Sequence, residues 1–295
     1  MCNFNSKKMK AKFLYSICVV AFLSVTNSLA QINLGDKISG AVGNGLNSLM
    51  FSDADAAKLA SEGIKKLDSA HVVAGPKDGY TLRLNRVFAK HSTENGLKLN
   101  YKVYITKEIN AFACADGSVR VFSGLMDIMD DNQLLAVIGH EIGHVANHDS
   151  RDAMKAAYRN AALADAVGSV STKVASATDG QIGQIAQAML QSKYSRKQET
   201  EADTFSYDFM KKNGYDVNAV ESAFTILSSL SEGQSSDILS QMMSSHPDSK
   251  ARAEAAKKRA ESDGLYKPYK QKVFSNKATS TKVTTPKKAT PKKKK

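Results

Sequence analysis

The chain has 295 residues and a formal net charge of +12 at pH 7. The charge lies at its two ends, since residues 1–30 contribute +4 and residues 276–295 contribute +8, which leaves the body between them neutral. The basic balance therefore does not indicate a body that binds nucleic acid, and no nucleic-acid partner is expected. The body is predicted as one domain over residues 31–275, long enough to bury its own core.

Residues 1–30 have the pattern of a secretory signal peptide. Four lysines precede the apolar run FLYSICVVAFLSV, and Ser28-Leu29-Ala30 supplies small residues for a cleavage site. The run is shorter than the roughly 20 residues that span a bilayer. We therefore expect export, with the periplasm as the destination. Once this segment is removed, Cys114 is the only cysteine, so no internal disulfide is expected.

The first part of the body combines helical and strand patterns. Apolar residues recur at helical spacing in two stretches, and three shorter stretches alternate apolar and polar residues or flank the Asp116-Gly117 turn. The predicted elements are helices over 53–68 and 80–88 and strands over 97–105, 110–114 and 118–122. The strands predict a small antiparallel sheet directly before the next helix.

The run HEIGH, residues 140–144, has the spacing of a metal site on a helix. Asp130 and Gln133 have capping-box spacing at its start. On a helix, His140 and His144 lie one turn apart and point the same way, so both imidazoles can bind one zinc ion. Glu141 is suited to remove a proton from a water whose pKa the metal lowers. The alternative is that both histidines are surface residues of an amphipathic helix.

Two further observations concern this predicted helix. Gly139 and Gly143 lower its propensity by about 1 kcal/mol each, and their spacing fits a backbone that a strand or a substrate approaches closely. His148 would lie roughly 12 Å along the helix axis from His140, so it is not predicted as a ligand.

Residues 150–191 are rich in alanine, serine and glutamine and hold few large apolar residues. A helix is predicted over 152–167 and a weaker one over 182–190. The segment is interpreted either as a mobile flap beside the site or as a surface excursion.

The segment SRKQETEADTFSYDFMKK predicts a helix that begins at the capping pair Ser195 and Gln198. Glu199 and Asp203 lie four residues apart on one face, and two acids at that spacing repel unless a positive group is near. They are either a solvated acidic face or part of the metal site. The HEIGH run favours the second interpretation, because a catalytic zinc needs a third protein ligand.

This order of motifs resembles the gluzincin metallopeptidases that include the HtpX heat-shock protease and the CAAX prenyl protease. It is more similar still to their soluble periplasmic quality-control members of the BepA type. The predicted body has neither the membrane helices of the first two nor a helical-repeat domain, which argues against a prenylated substrate. The matching residues are Asn110-Ala111-Phe112 with Gly117, Gly124-Leu125, HEIGH, Ser195-Arg196 with Glu199, Ala202 and Asp203, and His246-Pro247 with Arg252.

The resemblance implies roles for individual residues. It makes His140, His144 and Glu199 the ligands of one zinc ion per chain and Glu141 the general base. Asp203 matches an acid that orients a ligand histidine, a role that metal sites commonly require. The strand along which the family lays its substrate matches Asn110, Ala111, Phe112 and Ala113.

His246 and Arg252 follow a helix predicted over 217–230. From spacing alone, His246-Pro247 caps a polar helix and Arg252 is a surface residue on it. The resemblance implies instead that both face the zinc cleft. There His246 would serve either as an oxyanion donor or as a plug in the open zinc position, and in the second case the loop 232–245 would be a gate.

Residues 276–295 hold eight lysines and no acid, a composition typical of disorder. This tail is expected to bind an anionic envelope polymer or lipid surface, or only to add solubility.

The sequence therefore predicts an α+β fold, a mostly helical zincin (gluzincin) domain with a small antiparallel sheet packed on the HEIGH helix. The expected function is that of an exported zinc-dependent endopeptidase acting on unfolded or misassembled envelope proteins. Two alternatives remain: a non-catalytic metal-containing binding protein, against which intact Glu141 argues, and a polyanion-binding envelope protein that acts through its basic tail.

Overall fold

The computed structural model describes residues 51–164, 177–233 and 242–272. These residues belong to one unit that begins at Phe51. The predicted signal peptide, the lysine-rich tail and the middle parts of the predicted flap and gate lie outside the described residues. Within the described ranges, no helix combines the length and the apolar character needed to cross a membrane.

Two capped helices begin the described fold. Helix α1 spans Asp53–Ala70 and starts at a capping box in which Ser52 and Asp55 exchange hydrogen bonds. Helix α2 spans Gly79–Phe88, and the side chain of Asp78 caps it. Both confirm the helices predicted from apolar spacing, and α1 runs two residues beyond its predicted end.

Five strands follow, and three of them form one sheet. They are β1 (Thr93–Glu94), β2 (Leu97–Lys98), β3 (Asn100–Tyr104), β4 (Ala111–Ala113) and β5 (Ser118–Phe122). The sheet has the order β3-β5-β4, while β1 and β2 pair separately. As predicted, β4 and β5 pair antiparallel across the Asp116-Gly117 turn, but β3 pairs parallel with β5. The sheet is therefore mixed rather than wholly antiparallel, because alternation identifies a strand without specifying its neighbour or direction.

The HEIGH run lies in the interior of the fold. Helix α3 (Ser123–Ile128) is too short for apolar periodicity to predict it. Helix α4 (Asp131–Ala146) begins at the predicted capping box of Asp130 and Gln133. Every residue of α4 from Gln133 to His144 is buried, so the interpretation of its histidines as surface residues is wrong.

The remaining described helices wrap around α4. They are α5 (Asp149–Ala164), α6 (Asp179–Gln191), α7 (Arg196–Lys212), α8 (Asn218–Gly233) and α9 (Ser249–Ser262). Each overlaps a predicted helix. The described parts of the 150–191 segment are neither a flap nor a surface excursion, because α5 and α6 pack on α1. They share a second core with it, to which they contribute Met154, Tyr158, Ile185, Ala186 and Met189.

The two glycines of α4 allow α7 to approach it closely. A Cβ at Gly143 would lie 3.0 Å from Cα of Ala202 and 3.1 Å from its carbonyl oxygen, and one at Gly139 would lie 3.0 Å from the ring of Phe209. The partner in the close approach is thus a helix, not a strand or a substrate. Because Glu199 lies one turn before Ala202, this contact brings its carboxylate to the two histidines.

Candidate metal centre

Two histidines and a glutamate meet where α4 packs against α7. The Nε2 atoms of His140 and His144 are 3.1 Å apart. Glu199 places one carboxylate oxygen 3.6 Å from Nε2 of His140 and the other 3.4 Å from Nε2 of His144. All three side chains are buried. The structure thus brings together the three residues predicted as zinc ligands.

Each histidine is held through its other ring nitrogen. Nδ1 of His140 lies 2.9 Å from Oδ1 of Asp203, and Nδ1 of His144 lies 2.9 Å from Oδ2 of Asp149. A carboxylate only accepts, so a neutral ring held in this way carries its proton on Nδ1 and presents an unprotonated Nε2. Two unprotonated Nε2 atoms 3.1 Å apart would repel unless a proton or a metal ion lay between them. The donor set therefore fits a metal ion.

Burial, hydrogen bonds and nearby charges together shift the pKa values of these three side chains. Burial lowers the pKa of His144, but hydrogen bonds with Asp149 and Glu199 outweigh it and raise that pKa to about 9. Burial and the charge of Arg252 hold the pKa of His140 well below its usual range. Burial also raises the pKa of Glu199, but hydrogen bonds, first that from His144, hold it well below its usual range.

A fourth side chain, His246, completes the cluster. Its Nδ1 lies 3.1 Å from Oε1 of Glu199 and 3.3 Å from Nε2 of His140. Ligand atoms of His140, His144, Glu199 and His246 all lie within 4.8 Å of one another. The interpretation of His246 as a helix cap is wrong, because Asp248 takes the N-cap position of α9. His246 instead contributes a fourth possible ligand atom to the cluster.

Glu141 is buried beside the cluster with an unsatisfied oxygen. Among the residues that the structure describes, none forms a hydrogen bond with its Oε1, and Nε2 of His246 lies 3.5 Å away. Burial raises the pKa of Glu141. An orphaned buried acceptor costs about 1–3 kcal/mol, a cost that proteins retain mainly where the group has a chemical role. The adjacent cavity, of about 10 Å³, has room for about one water molecule.

Arg252 lies behind the ligands and connects them. Its Nε and Nη2 donate to the two oxygens of Asp203 at 2.9 and 2.6 Å, and its Nη1 lies 2.8 Å from Oε2 of Glu199. The guanidinium also lies 4.0 Å from the ring centroid of Phe224. Arg252 is buried, so its interpretation as a surface residue is wrong. Since Asp203 also contacts His140, Arg252 links the ligands of α4 to those of α7.

The predicted substrate strand forms one edge of the three-stranded sheet and packs against α4. Its residues are Asn110, Ala111, Phe112 and Ala113, all of them buried. The carbonyl of Asn110 accepts from the N–H of Phe122 in β5, so by alternation the backbones of Ala111 and Ala113 turn toward the open edge. Two groups on that edge have internal partners: Asn110 Oδ1 accepts from the Ala111 N–H at 2.9 Å, and Ser150 Oγ donates to the Ala113 carbonyl at 3.4 Å.

Three residues near the metal cluster were not predicted from the sequence to belong to the site. Asp149 holds His144, Nε2 of Gln198 donates to Asp149 at 2.8 Å, and the ring of Tyr194 stacks on His144. Asp149 follows the end of α4 closely, and the need of a ligand histidine for an acceptor could have identified it. No local signal identifies Tyr194. His148 is exposed and lies 3.4 Å from Asp53, outside the cluster, as its non-ligand prediction requires.

Comparison with known proteins gives the family. Residues 80–260, a span that contains the whole cluster, match Peptidase family M48. The chain belongs to peptidase family M48. It is 41% identical over 226 residues to Metalloprotease YcaL of Escherichia coli (strain K12), a match that covers 75% of this chain and 87% of YcaL. It is 37% identical over 216 residues to Metalloprotease LoiP of the same strain, which covers 73% of this chain and 84% of LoiP.

A more distant relative extends the comparison. The chain is 29% identical over 180 residues to the Beta-barrel assembly-enhancing protease of Escherichia coli O157:H7, a match that covers 57% of this chain and 36% of that protein. These matches confirm the family resemblance drawn from the motifs. The M48 chain is a metallopeptidase, and its substrates are peptides or proteins.

Proposed function

We propose that this M48 chain is a zinc-dependent endopeptidase that cleaves extended segments of unfolded or misassembled envelope proteins. The observation that carries the proposal is the pairing of two facing, carboxylate-oriented imidazole nitrogens with the orphaned oxygen of Glu141. A purely structural metal site would have no use for a buried, unsatisfied carboxylate beside it. Peptide hydrolysis uses both parts.

The ligand types support zinc as the metal. Two imidazoles and one carboxylate from His140, His144 and Glu199 are a donor set of catalytic zinc sites, with one zinc per chain. Bound zinc lowers the pKa of a water molecule and polarises the carbonyl to be attacked. Asp203 and Asp149 hold the two imidazoles with Nε2 toward the ion, which leaves each ring neutral and able to ligate.

Glu141 is the general base in this proposal. Its Oε1 accepts the proton of the attacking water, and burial keeps the pKa of the carboxyl raised toward the pH at which such transfers are efficient. Arg252 does not transfer a proton. It neutralises Glu199 and anchors Asp203, and so it maintains the ligand geometry.

The edge strand β4 supports an extended substrate. A peptide paired with the open edge would exchange hydrogen bonds with the backbones of Ala111 and Ala113. To do so it would displace the Asn110 side chain from the Ala111 N–H and the Ser150 hydroxyl from the Ala113 carbonyl. Because backbone groups carry this recognition, we expect loose sequence specificity and a preference for unfolded chains.

His246 makes the described conformation a closed one in this proposal. Its imidazole lies where water and substrate would enter, and the adjacent cavity of about 10 Å³ is far too small for a peptide. Turnover therefore requires His246 to leave the cluster, which assigns it the role of a plug rather than an oxyanion donor in the resting state.

Export to the periplasm is part of the proposal. It is supported by the signal-peptide pattern of residues 1–30 and by the name of one relative, which refers to β-barrel assembly. The lysines of residues 276–295 would add attraction to anionic polymers or lipids of the envelope. Deletion of this segment should leave hydrolysis of a soluble substrate unchanged. A loss of that activity would instead favour a protein that acts through its tail.

The decisive experiment compares the wild-type chain with Glu141→Gln. Both are purified, analysed for zinc and incubated with unfolded casein. We expect about one zinc per chain in both and a loss of hydrolysis by at least about 10²–10⁴-fold in the variant, because only the base is removed. Glu254→Gln, an exposed glutamate on α9, is the matched control and should retain activity. Undiminished turnover by Glu141→Gln would rule out this mechanism.

A further inference from the structure

The flat face of the His144 ring is covered by Tyr194. This residue lies between α6 and α7, directly before Ser195, the N-cap of α7. The two ring centroids are 3.7 Å apart and the planes are inclined by 15°, the closest ring contact among the described residues. The contact is to a metal ligand, and neither the proposed base nor the proposed substrate strand accounts for it.

A hydrogen bond to one nitrogen does not fix the plane of an imidazole. The 2.9 Å contact between Nδ1 and Asp149 holds one edge of His144, but the ring can still tilt about the axis of that bond. The lone pair of Nε2 lies in the ring plane, so a tilt turns it away from the metal. An aromatic face at 3.7 Å blocks that tilt. Asp149 and Tyr194 therefore restrain two different rotations of the same ligand.

The position of Tyr194 in the chain restrains its ring. The following residue begins α7, and the first turn of that helix supplies Gln198, which donates to Asp149 at 2.8 Å. The ring is thus held by the same part of the structure that holds the Nδ1 acceptor.

The stack does not depend on the closed position of His246. The rings of Tyr194 and His246 are 5.6 Å apart and inclined by 40°, a much looser contact than the one with His144. The stack of Tyr194 on His144 is therefore expected to persist when His246 leaves the cluster. Metal binding also draws electron density from the imidazole, and a ring with positive character is attracted to the face of a phenol.

We propose that Tyr194 is a positioning residue for the metal, whose ring fixes the plane of the His144 imidazole with Nε2 directed into the cluster. The inference rests on the metal site of the proposed function. Because the ring and not the hydroxyl contacts His144, phenylalanine should replace Tyr194 with little loss, whereas leucine should not.

The test measures metal binding directly. Zinc affinity of the full chain is determined by competition with a chromophoric chelator, and the visible absorption spectrum of the cobalt-substituted protein reports ligand geometry. Tyr194→Leu should bind zinc about 10-fold more weakly, a usual loss of affinity when a group that supports a metal ligand is removed. Its cobalt spectrum should also be altered. Tyr194→Phe should stay within about threefold of wild type in affinity, because it keeps the ring that covers His144.

A matched control separates positioning from general packing. Tyr101 stacks on Phe88 at 4.9 Å, outside the metal cluster, and Tyr101→Leu removes a comparable aromatic contact. It should lower thermal stability but leave zinc affinity and the cobalt spectrum unchanged. Thermal unfolding in the presence of chelator checks that Tyr194→Leu remains folded. If Tyr194→Leu does not fold, Tyr194→Phe still tests whether the ring without its hydroxyl is sufficient.

The outcomes are distinguishable. Wild-type affinity and an unchanged spectrum in Tyr194→Leu would overturn the inference, as would a loss in Tyr194→Phe as large as in Tyr194→Leu. A wild-type chain that binds no zinc would overturn the proposed function together with this inference.

Discussion

Removal of the His246 imidazole tests whether the described conformation is a closed state. Its Nδ1 contacts Oε1 of Glu199 at 3.1 Å, a hydrogen bond to a charged group. Such a bond contributes about 1.5–3 kcal/mol net. If this free energy holds His246 over the site, the open form is reduced by about 10- to 150-fold. Any bond from His246 to the metal would enlarge that factor.

His246→Ala should therefore raise turnover by about tenfold or more, because the rate is scaled by the fraction of open molecules. The assay is the initial rate of unfolded casein hydrolysis at saturating zinc, with electrophoresis to detect self-cleavage of the variant. His148→Ala, an exposed histidine just after α4, is the control and should match the wild-type rate.

The competing roles of His246 predict results of different sign. Loss of an oxyanion donor would lower turnover by about 10²–10³-fold with zinc retained. A purely structural residue would leave the specific activity of the folded protein unchanged, as in the His148→Ala control. Either result would refute the assignment of His246 as a plug.

Four further predictions follow from other parts of the structure. Glu199→Ala should lose zinc on dialysis, because it removes the carboxylate ligand; full occupancy by metal analysis would exclude Glu199 from the site. Gly143→Ala should lower the free energy of unfolding by about 1–2 kcal/mol, because the steric cost of a methyl group 3.0 Å from Cα of Ala202 outweighs the gain in helix propensity. An unchanged urea midpoint would contradict this packing. Burial raises the pKa of Asp68, but hydrogen bonds, led by that from Arg120, lower it to about 2, below its ordinary 3.8. The stabilisation by Asp68 is therefore present above about pH 4 and is lost as the pH falls toward 2. The difference in unfolding free energy between wild type and Asp68→Asn should shrink across that window in urea titrations, and a constant difference would argue against it. Finally, one protein offered in native and denatured form should be cleaved faster when denatured, and equal rates would contradict recognition by the β4 edge.

Local patterns in the sequence were sufficient to locate the metal-binding helices. The capping pairs Asp130 with Gln133 and Ser195 with Gln198 mark the starts of α4 and α7 at the residues where both helices begin. Caps and apolar periodicity are decided within a few residues of chain, so they can be read without tertiary structure. The four-residue spacing of His140 and His144 likewise needs only a helix to bring the imidazoles together.

Contacts between distant segments were decided only by tertiary packing. The pairing of β3 beside β5, the burial of Arg252 and the stack of Tyr194 on His144 each join segments whose separation in sequence carries no signal of contact. The approach of α7 to α4 depends on the fit of Gly143 against the Ala202 backbone, which places Glu199 at the histidines. The sequence pattern of an acid on a helix face is the same whether the carboxylate contacts water or a metal ion. Only the packing of that face determines which of the two it contacts.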